Sequence, residues 1–190
     1  MNPYRMRVWE MLEPHLRAVA PLRRVLDFGC GDGWFASQVR ACKLAEDLVP
    51  LDVKRREQVF VEPQIYDGGR LPFADRQFDL AYTVDVLHHC DDPLLQLDEL
   101  DRVTARYLLV KDHTFTTAWG RFALSVLDEL GNRRFGIPSP YHYQRGWSWR
   151  SHLEGRGWRQ RILVHPAPCH RGVLGAMTNG LQYVSLFERG

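Results

Sequence analysis

No run of about 18 apolar residues occurs in this chain, which argues against a helix that spans a membrane. The opening stretch, MNPYRMRVWEMLEPHLRAV, lacks the uninterrupted apolar segment of a secretory leader. It is expected to form a helix with Met6, Trp9, Leu12, Leu16 and Val19 on one face. Cysteine is sparse: Cys30, Cys42, Cys90 and Cys169, with no pair at the spacing of a zinc knuckle or a redox couple. Reduced thiols in a cytoplasmic protein are the expectation. Internal repeats and low-complexity tracts are also lacking. No metal is expected, because Cys169, His165 and His170 lack zinc-ligand spacing and no paired carboxylates with an asparagine stand at the strand ends.

What remains is an ordinary globular composition, 45% apolar and 25% charged over 190 residues. That length suits one domain, residues 1–190, able to bury roughly 70% of its unfolded surface without disulfides or metal. The net charge of +2 conceals an asymmetry. Residues 131–171 hold eight arginines and one acid, Glu154, and so carry +7, while the remainder carries −5. Such a block can attract an anionic ligand or partner, or be a solvated arginine face.

Short β-branched or leucine-rich runs alternate with helical patterns, which predicts βαβ units in a doubly wound, mostly parallel sheet. Strands are expected at 24–28, 48–51, 59–66, 78–84, 107–111, 158–165 and 182–188. Helices are expected at about 34–41, 93–103, 116–130 and 147–154. Asp91-Asp92-Pro93 caps the second of these. The third carries Trp119, Phe122, Ala123, Val126, Leu127 and Leu130 on one face. Residues 112–157 form an insertion on the substrate side between the fifth and sixth strands, with 132–149 as a lid.

The sharpest signal is VLDFGCGDG, a strand entering a glycine turn and then a helix. Gly29, Gly31 and Gly33 can adopt φ > 0 and leave room for close approach. Asp52 ends the second strand, where a carboxylate can accept from both ribose hydroxyls. Asp67, ahead of Gly68-Gly69, can accept from an exocyclic adenine amine. Together they place a nucleoside across the strand ends. The spacing G-x-G-x-G departs from the G-x-G-x-x-G of nicotinamide enzymes, and Asp27 on the strand suits an amino group better than a phosphate.

VLDFGCGDG, then LDV, then YDGGRLPFADRQFDLAYTVDVLHHCDDP resembles the class I S-adenosylmethionine-dependent methyltransferases, across about residues 24–111. The resemblance implies a Rossmann-like sheet of seven strands, the last antiparallel and inserted beside the sixth. It implies that Asp27, Gly29 and Gly31 surround the amino-acid moiety of S-adenosylmethionine, that Asp52 holds the ribose, and that Asp67 and Gly68 hold the adenine. Asp85 to His88 would approach the methionine end. The family's helix between the second and third strands has almost no room here, since only residues 53–58 are available.

Methyl transfer needs alignment above all, worth roughly 7–11 kcal/mol at best, and a base where the acceptor is a hydroxyl or an activated carbon. His113 and Asp112, after the fifth strand, and His88, after the fourth, are the candidates. Tyr141, Tyr143 and Arg145 are the candidates for holding the acceptor, expected to be a small molecule and, given the arginines, an anionic one. An RNA acceptor is the alternative. Tyr141, Tyr143, Trp147, Trp149 and Trp158 interleave with the arginines, and Asp85 and Lys111 resemble two members of a ribose methyltransferase tetrad that lacks its first lysine here. A partner-binding domain that keeps the cofactor fold without catalysis is the remaining reading.

Overall fold

The computed structural model describes residues 2–129 and 140–190 in full, and residues 130–132 as backbone. An eight-stranded mixed sheet runs through the molecule in the order β3-β2-β1-β4-β5-β8-β7, with β6 paired to β5 outside that path. The strands are β1 (Leu22–Phe28), β2 (Ala45–Asp52), β3 (Gln64–Ile65), β4 (Phe78–Val84), β5 (Thr104–Phe115), β6 (Gln144–Arg145), β7 (Trp158–Val164) and β8 (Gln182–Arg189). The first five strands pair in parallel, and β8 lies antiparallel to both β5 and β7. Helices α1 (Pro3–Val19), α2 (Trp34–Ala41), α3 (Pro93–Val103), α4 (Ala118–Asn132), α5 (Ser148–Gly155) and α6 (Gly172–Thr178) complete the fold. No helix among the described residues is long and apolar enough to cross a membrane.

Strand residues alternate between two cores, as the period of two requires. Val25, Leu80, Tyr82 and Leu109 face α1 and α2, where Val8, Trp9, Leu12 and Leu16 bury the apolar stripe of α1. Leu26, Phe28, Ala81, Leu108 and Val110 face α3 and α5. Both faces are therefore covered, which suits the near-continuous apolar character of β1, β4 and β5. Caps read in the sequence form as chemistry dictates. The Asp92 carboxylate accepts from the N–H groups of Leu94 and Leu95, both at 3.0 Å, with Pro93 in the first turn. Strand order reverses between β1 and β4, and the crevice at that reversal is where open α/β sheets bind ligands.

Four expectations need correction. The third strand shrinks to Gln64–Ile65, because it is an exposed edge with a single partner and follows Pro63. The fifth strand runs on to Phe115, because β8 keeps pairing with it as far as His113 opposite Gln182. Asp112 and His113 thus belong to a strand, not to a cap beyond it. The segment between β7 and β8 contains α6. Most informative is α4. Its apolar stripe faces outward, with Trp119, Phe122 and Val126 exposed, while Gly120, Leu124 and Asp128 face the sheet. Leu130, the last residue of that stripe, lies outside the described side chains, as do residues 133–139 of the expected lid.

Candidate active site

A cleft of about 920 Å³ opens at the carboxyl ends of β1, β2 and β4. All seven residues expected at the cofactor line it: Asp27, Gly29, Gly31, Asp52, Asp67, Gly68 and Asp85. Its volume lies near the upper end for small-molecule sites, which leaves room for a nucleoside cofactor and an acceptor together.

The glycine loop is closed upon itself. The N–H groups of Gly29 and Cys30 both donate to the Leu51 carbonyl, at 2.8 and 3.0 Å. The Gly31 N–H donates to Asp52 Oδ2 at 2.7 Å, and the Gly33 N–H to the Cys30 carbonyl at 2.9 Å. A phosphate cradle needs such amides pointing at the ligand; here these four are already committed to the protein. The three glycines also have different reasons to be glycine. A Cβ at Gly29 would fall 2.3 Å from a Val86 methyl, and one at Gly33 would fall 2.7 Å from the Val61 carbonyl oxygen. Gly31, at φ 62°, faces open space. So Gly29 and Gly33 let neighbouring segments close in, and Gly31 is the one that borders the cleft freely.

Negative charge dominates the lining. Seven aspartates face two arginines, Arg5 and Arg56, among the described residues. Asp27 is the most unusual of them. Burial pushes its carboxyl up to about 7, and its Oδ2 has no hydrogen-bond partner among the described residues. Asp52 Oδ1 accepts from the Lys54 N–H at 3.1 Å, and Asp67 Oδ1 from the Gly69 N–H at 2.9 Å, so both side chains are fixed in place. Each retains accepting capacity for a ligand. Gln96 anchors the turn after Asp67 by donating to the Gly68 carbonyl at 2.8 Å.

Asp85 differs from the rest. At φ 56° it turns the chain sharply after β4, and its carboxylate pairs with the fully buried Lys111. The Lys111 ammonium also donates to the Tyr4 hydroxyl at 2.5 Å and to Gln182 Oε1 at 2.6 Å. Tyr4 in turn donates to Asp85 Oδ2 at 2.7 Å. Burial opposes the charges, yet the pairing keeps the Asp85 carboxyl low and the Lys111 ammonium high. The first turn of α1 thereby closes one wall of the cleft, with Arg5 bonded to Asp32 at 2.6 Å. Tyr4 and Arg5 were not foreseen as site residues. They are single residues ahead of an amphipathic stripe, and no pattern marks them.

The catalytic candidates meet behind the cleft wall. His88 Nδ1 lies 2.6 Å from Asp112 Oδ1, and His113 Nδ1 lies 3.4 Å from His88 Nδ1. Asp112 also accepts from the N–H groups of Leu87 (3.1 Å) and His113 (2.7 Å). Burial disfavours a charged His88, but Asp112 and Asp128 outweigh it and push the imidazole up to about 10. The neighbouring His89 does line the cleft. Burial and the His88 charge push it down to about 4, so its ring is neutral at physiological pH. None of His88, Asp112 and His113 lines the cleft. Of the acceptor candidates, Tyr143 is buried and donates to Asp128 at 2.5 Å, Tyr141 donates to Glu129, and Arg145 is exposed on β6. The segment reaches the cleft through Pro140, and His142 bonds the carbonyls of His88 (3.2 Å) and Cys90 (2.9 Å).

Comparison with known proteins agrees with this geometry. The family described as "Methyltransferase domain" matches residues 26–107, which carry the glycine loop, Asp52, Asp67 and Asp85. Residues 26–107 are thus similar to that methyltransferase family. A malonyl-(acyl-carrier protein) O-methyltransferase of Erwinia billingiae is 36% identical over 90 residues, 44% of this chain and 35% of that protein. A demethylmenaquinone methyltransferase of Renibacterium salmoninarum is 28% identical over 152 residues, 72% of this chain and 63% of that protein. The domain thus spans about a third and just under two thirds of those relatives. A SAM-dependent methyltransferase from Aquifex aeolicus shares the fold across 100% of this chain and 94% of its own, with a TM-score of 0.63 and 17% identity.

Proposed function

We propose that the protein transfers a methyl group from S-adenosylmethionine to a small organic acceptor. One observation carries this reading: the loop amides are internally bonded while seven aspartates border the cleft. That combination suits a phosphate-free cofactor with a sulfonium and an ammonium, and opposes a pyrophosphate. When bound, S-adenosylmethionine supplies a methyl group already activated on its sulfonium. Asp27, with its unpartnered Oδ2, takes the ammonium. Asp52 accepts from the ribose hydroxyls, and Asp67 with the Gly68 backbone borders the adenine. Asp85, held by Lys111 and Tyr4, stands at the methionine end.

The acceptor side is built from the turn at 85–92 and Pro140. Relatives named for a malonyl-acyl-carrier protein and for demethylmenaquinone support an organic acceptor. Support for RNA is weaker than the charge count alone suggests. Arg150 pairs with Glu154, Arg156 with Asp98 and Asp101, and Arg161 with Glu188. Three of the eight arginines of the basic block therefore answer acids of the same protein. Arg133 and Arg134 lie outside the described residues.

Thermal-shift and calorimetric titrations with S-adenosylhomocysteine, NAD and single-stranded RNA separate the readings. Saturable binding of S-adenosylhomocysteine alone is expected. A response to NAD instead, or RNA binding with the steep salt slope of multiple phosphate contacts, would overturn the proposal.

A further inference from the structure

We propose that His88, His89 and Asp128 form a binding site for one divalent transition-metal ion at the inner edge of the cleft. It rests on side-chain geometry, independent of the methyl-transfer reading, and its test reads the ion directly. No such site was expected from the sequence, because Asp128 is remote from the histidine pair and lies on what reads as an amphipathic helix.

His88 is prepared as a ligand. Its Nδ1 engages Asp112 at 2.6 Å, which fixes the ring, and a bound ion would release to solvent the proton that the charged ring carries on Nε2. A carboxylate behind a histidine is the usual outer partner of a metal-bound imidazole. Asp112 is itself immobilised by the N–H groups of Leu87 and His113. His88 Nε2 is buried, has no hydrogen-bond partner among the described residues, and the ring is 1% exposed. It points toward Asp128 Oδ2 at 3.5 Å. That gap is too long for a good hydrogen bond. It is close to the roughly 3.4 Å between two ligand atoms that each sit about 2.05 Å from a tetrahedral ion.

The other ligands are equally placed. The His89 ring centroid lies 4.1 Å from that of His88, and donor atoms of His88, His89 and Asp128 all lie within 4.8 Å of one another. Tyr143 donates to Asp128 at 2.5 Å and orients it. Helix α4 contributes Asp128 by turning its Gly120-Leu124-Asp128 row to the sheet and leaving Trp119 and Phe122 in solvent. His88, Asp112 and His113 form a second close group. There the histidine nitrogen and the carboxylate already bond each other, so that group is an outer support.

Two imidazoles and one carboxylate select zinc, cobalt, nickel or iron(II) over magnesium and calcium. Three protein ligands leave a position for water or an acceptor oxygen, and His89 borders the cleft.

The test is a titration of the chelator-stripped full chain with Co²⁺, followed by visible absorption, and with Zn²⁺ by competition. One ion per chain is expected, with the intense ligand-field bands of a tetrahedral site, displaced by Zn²⁺ and unaffected by excess Mg²⁺. His89→Gln and Asp128→Asn are each expected to weaken binding at least about 100-fold while keeping the wild-type circular dichroism. Asp112→Asn is expected to weaken it about 10- to 100-fold. No saturable Co²⁺ spectrum with the wild-type chain, or a spectrum that persists in both ligand variants, would overturn the site.

Discussion

The two halves of the sheet's carboxyl edge are built on opposite terms. At the ends of β2 and β3, the aspartates are held by backbone amides. Asp52 is fixed by the amides of Gly31 and Lys54, and Asp67 by that of Gly69. Around β5, the groups are held by side chains from distant elements. Lys111 meets Asp85, Tyr4 and Gln182, while His88 meets Asp112 and Asp128. A site of the first kind can be recognised as a motif, since its geometry follows from spacing. One of the second kind depends on how elements dock.

Four measurements sharpen or break that contrast, from the largest effect to the smallest. Asp52→Ala removes the proposed ribose acceptor and also the partner of the Gly31 amide. Two charged hydrogen bonds at about 1.5–3 kcal/mol each make a loss of cofactor affinity of roughly a hundredfold or more the expected result in calorimetry. An unchanged affinity would remove the strand-tip half of the contrast. Gly33→Ala places a Cβ 2.7 Å from the Val61 carbonyl at φ 73°. A loss of about 2–3 kcal/mol in denaturant unfolding is expected, part of it the left-handed conformation itself.

The third concerns pH. Burial raises the Asp27 carboxyl to about 7, above its ordinary 3.8. Its folded-state pKa is the higher one, so its contribution to stability is fully present below about 3.8 and is lost as pH rises through about 7. A bound ammonium favours the ionised form and reverses that preference. Cofactor affinity should therefore strengthen roughly tenfold between pH 6 and 8, and Asp27→Asn should flatten the profile. The smallest effect belongs to α4. Trp119→Ser lies on its outward stripe, 67% exposed, and should change stability by no more than about 0.5 kcal/mol. A large loss would mean that the stripe is covered as an ordinary core face.

The same contrast explains how much could be read in advance. The α/β alternation, the N-terminal helix, the Asp92 cap and the seven residues lining the cleft all follow from local pattern. Strand β5 outran its expected end because Asp112 and His113 look like loop residues until β8 supplies their partners. The docking face of α4 was not legible, since periodicity identifies an apolar stripe but not which face packs. Tyr4 carries no signal because its partners, Asp85 and Lys111, are 81 and 107 residues away. His89 was overshadowed by His88, its neighbour in the same pair, although it is His89 that borders the cleft.

Everything proposed for catalysis depends on a phosphate-free nucleoside lying across the aspartates at the tips of β1, β2 and β3. Isothermal calorimetry with S-adenosylhomocysteine, on wild type and Asp52→Ala side by side, tests this most directly. One site per chain, saturable in the micromolar range and weakened roughly a hundredfold or more by the substitution, is the expected result. Equal affinity in both proteins, or no heat with wild type, would contradict it.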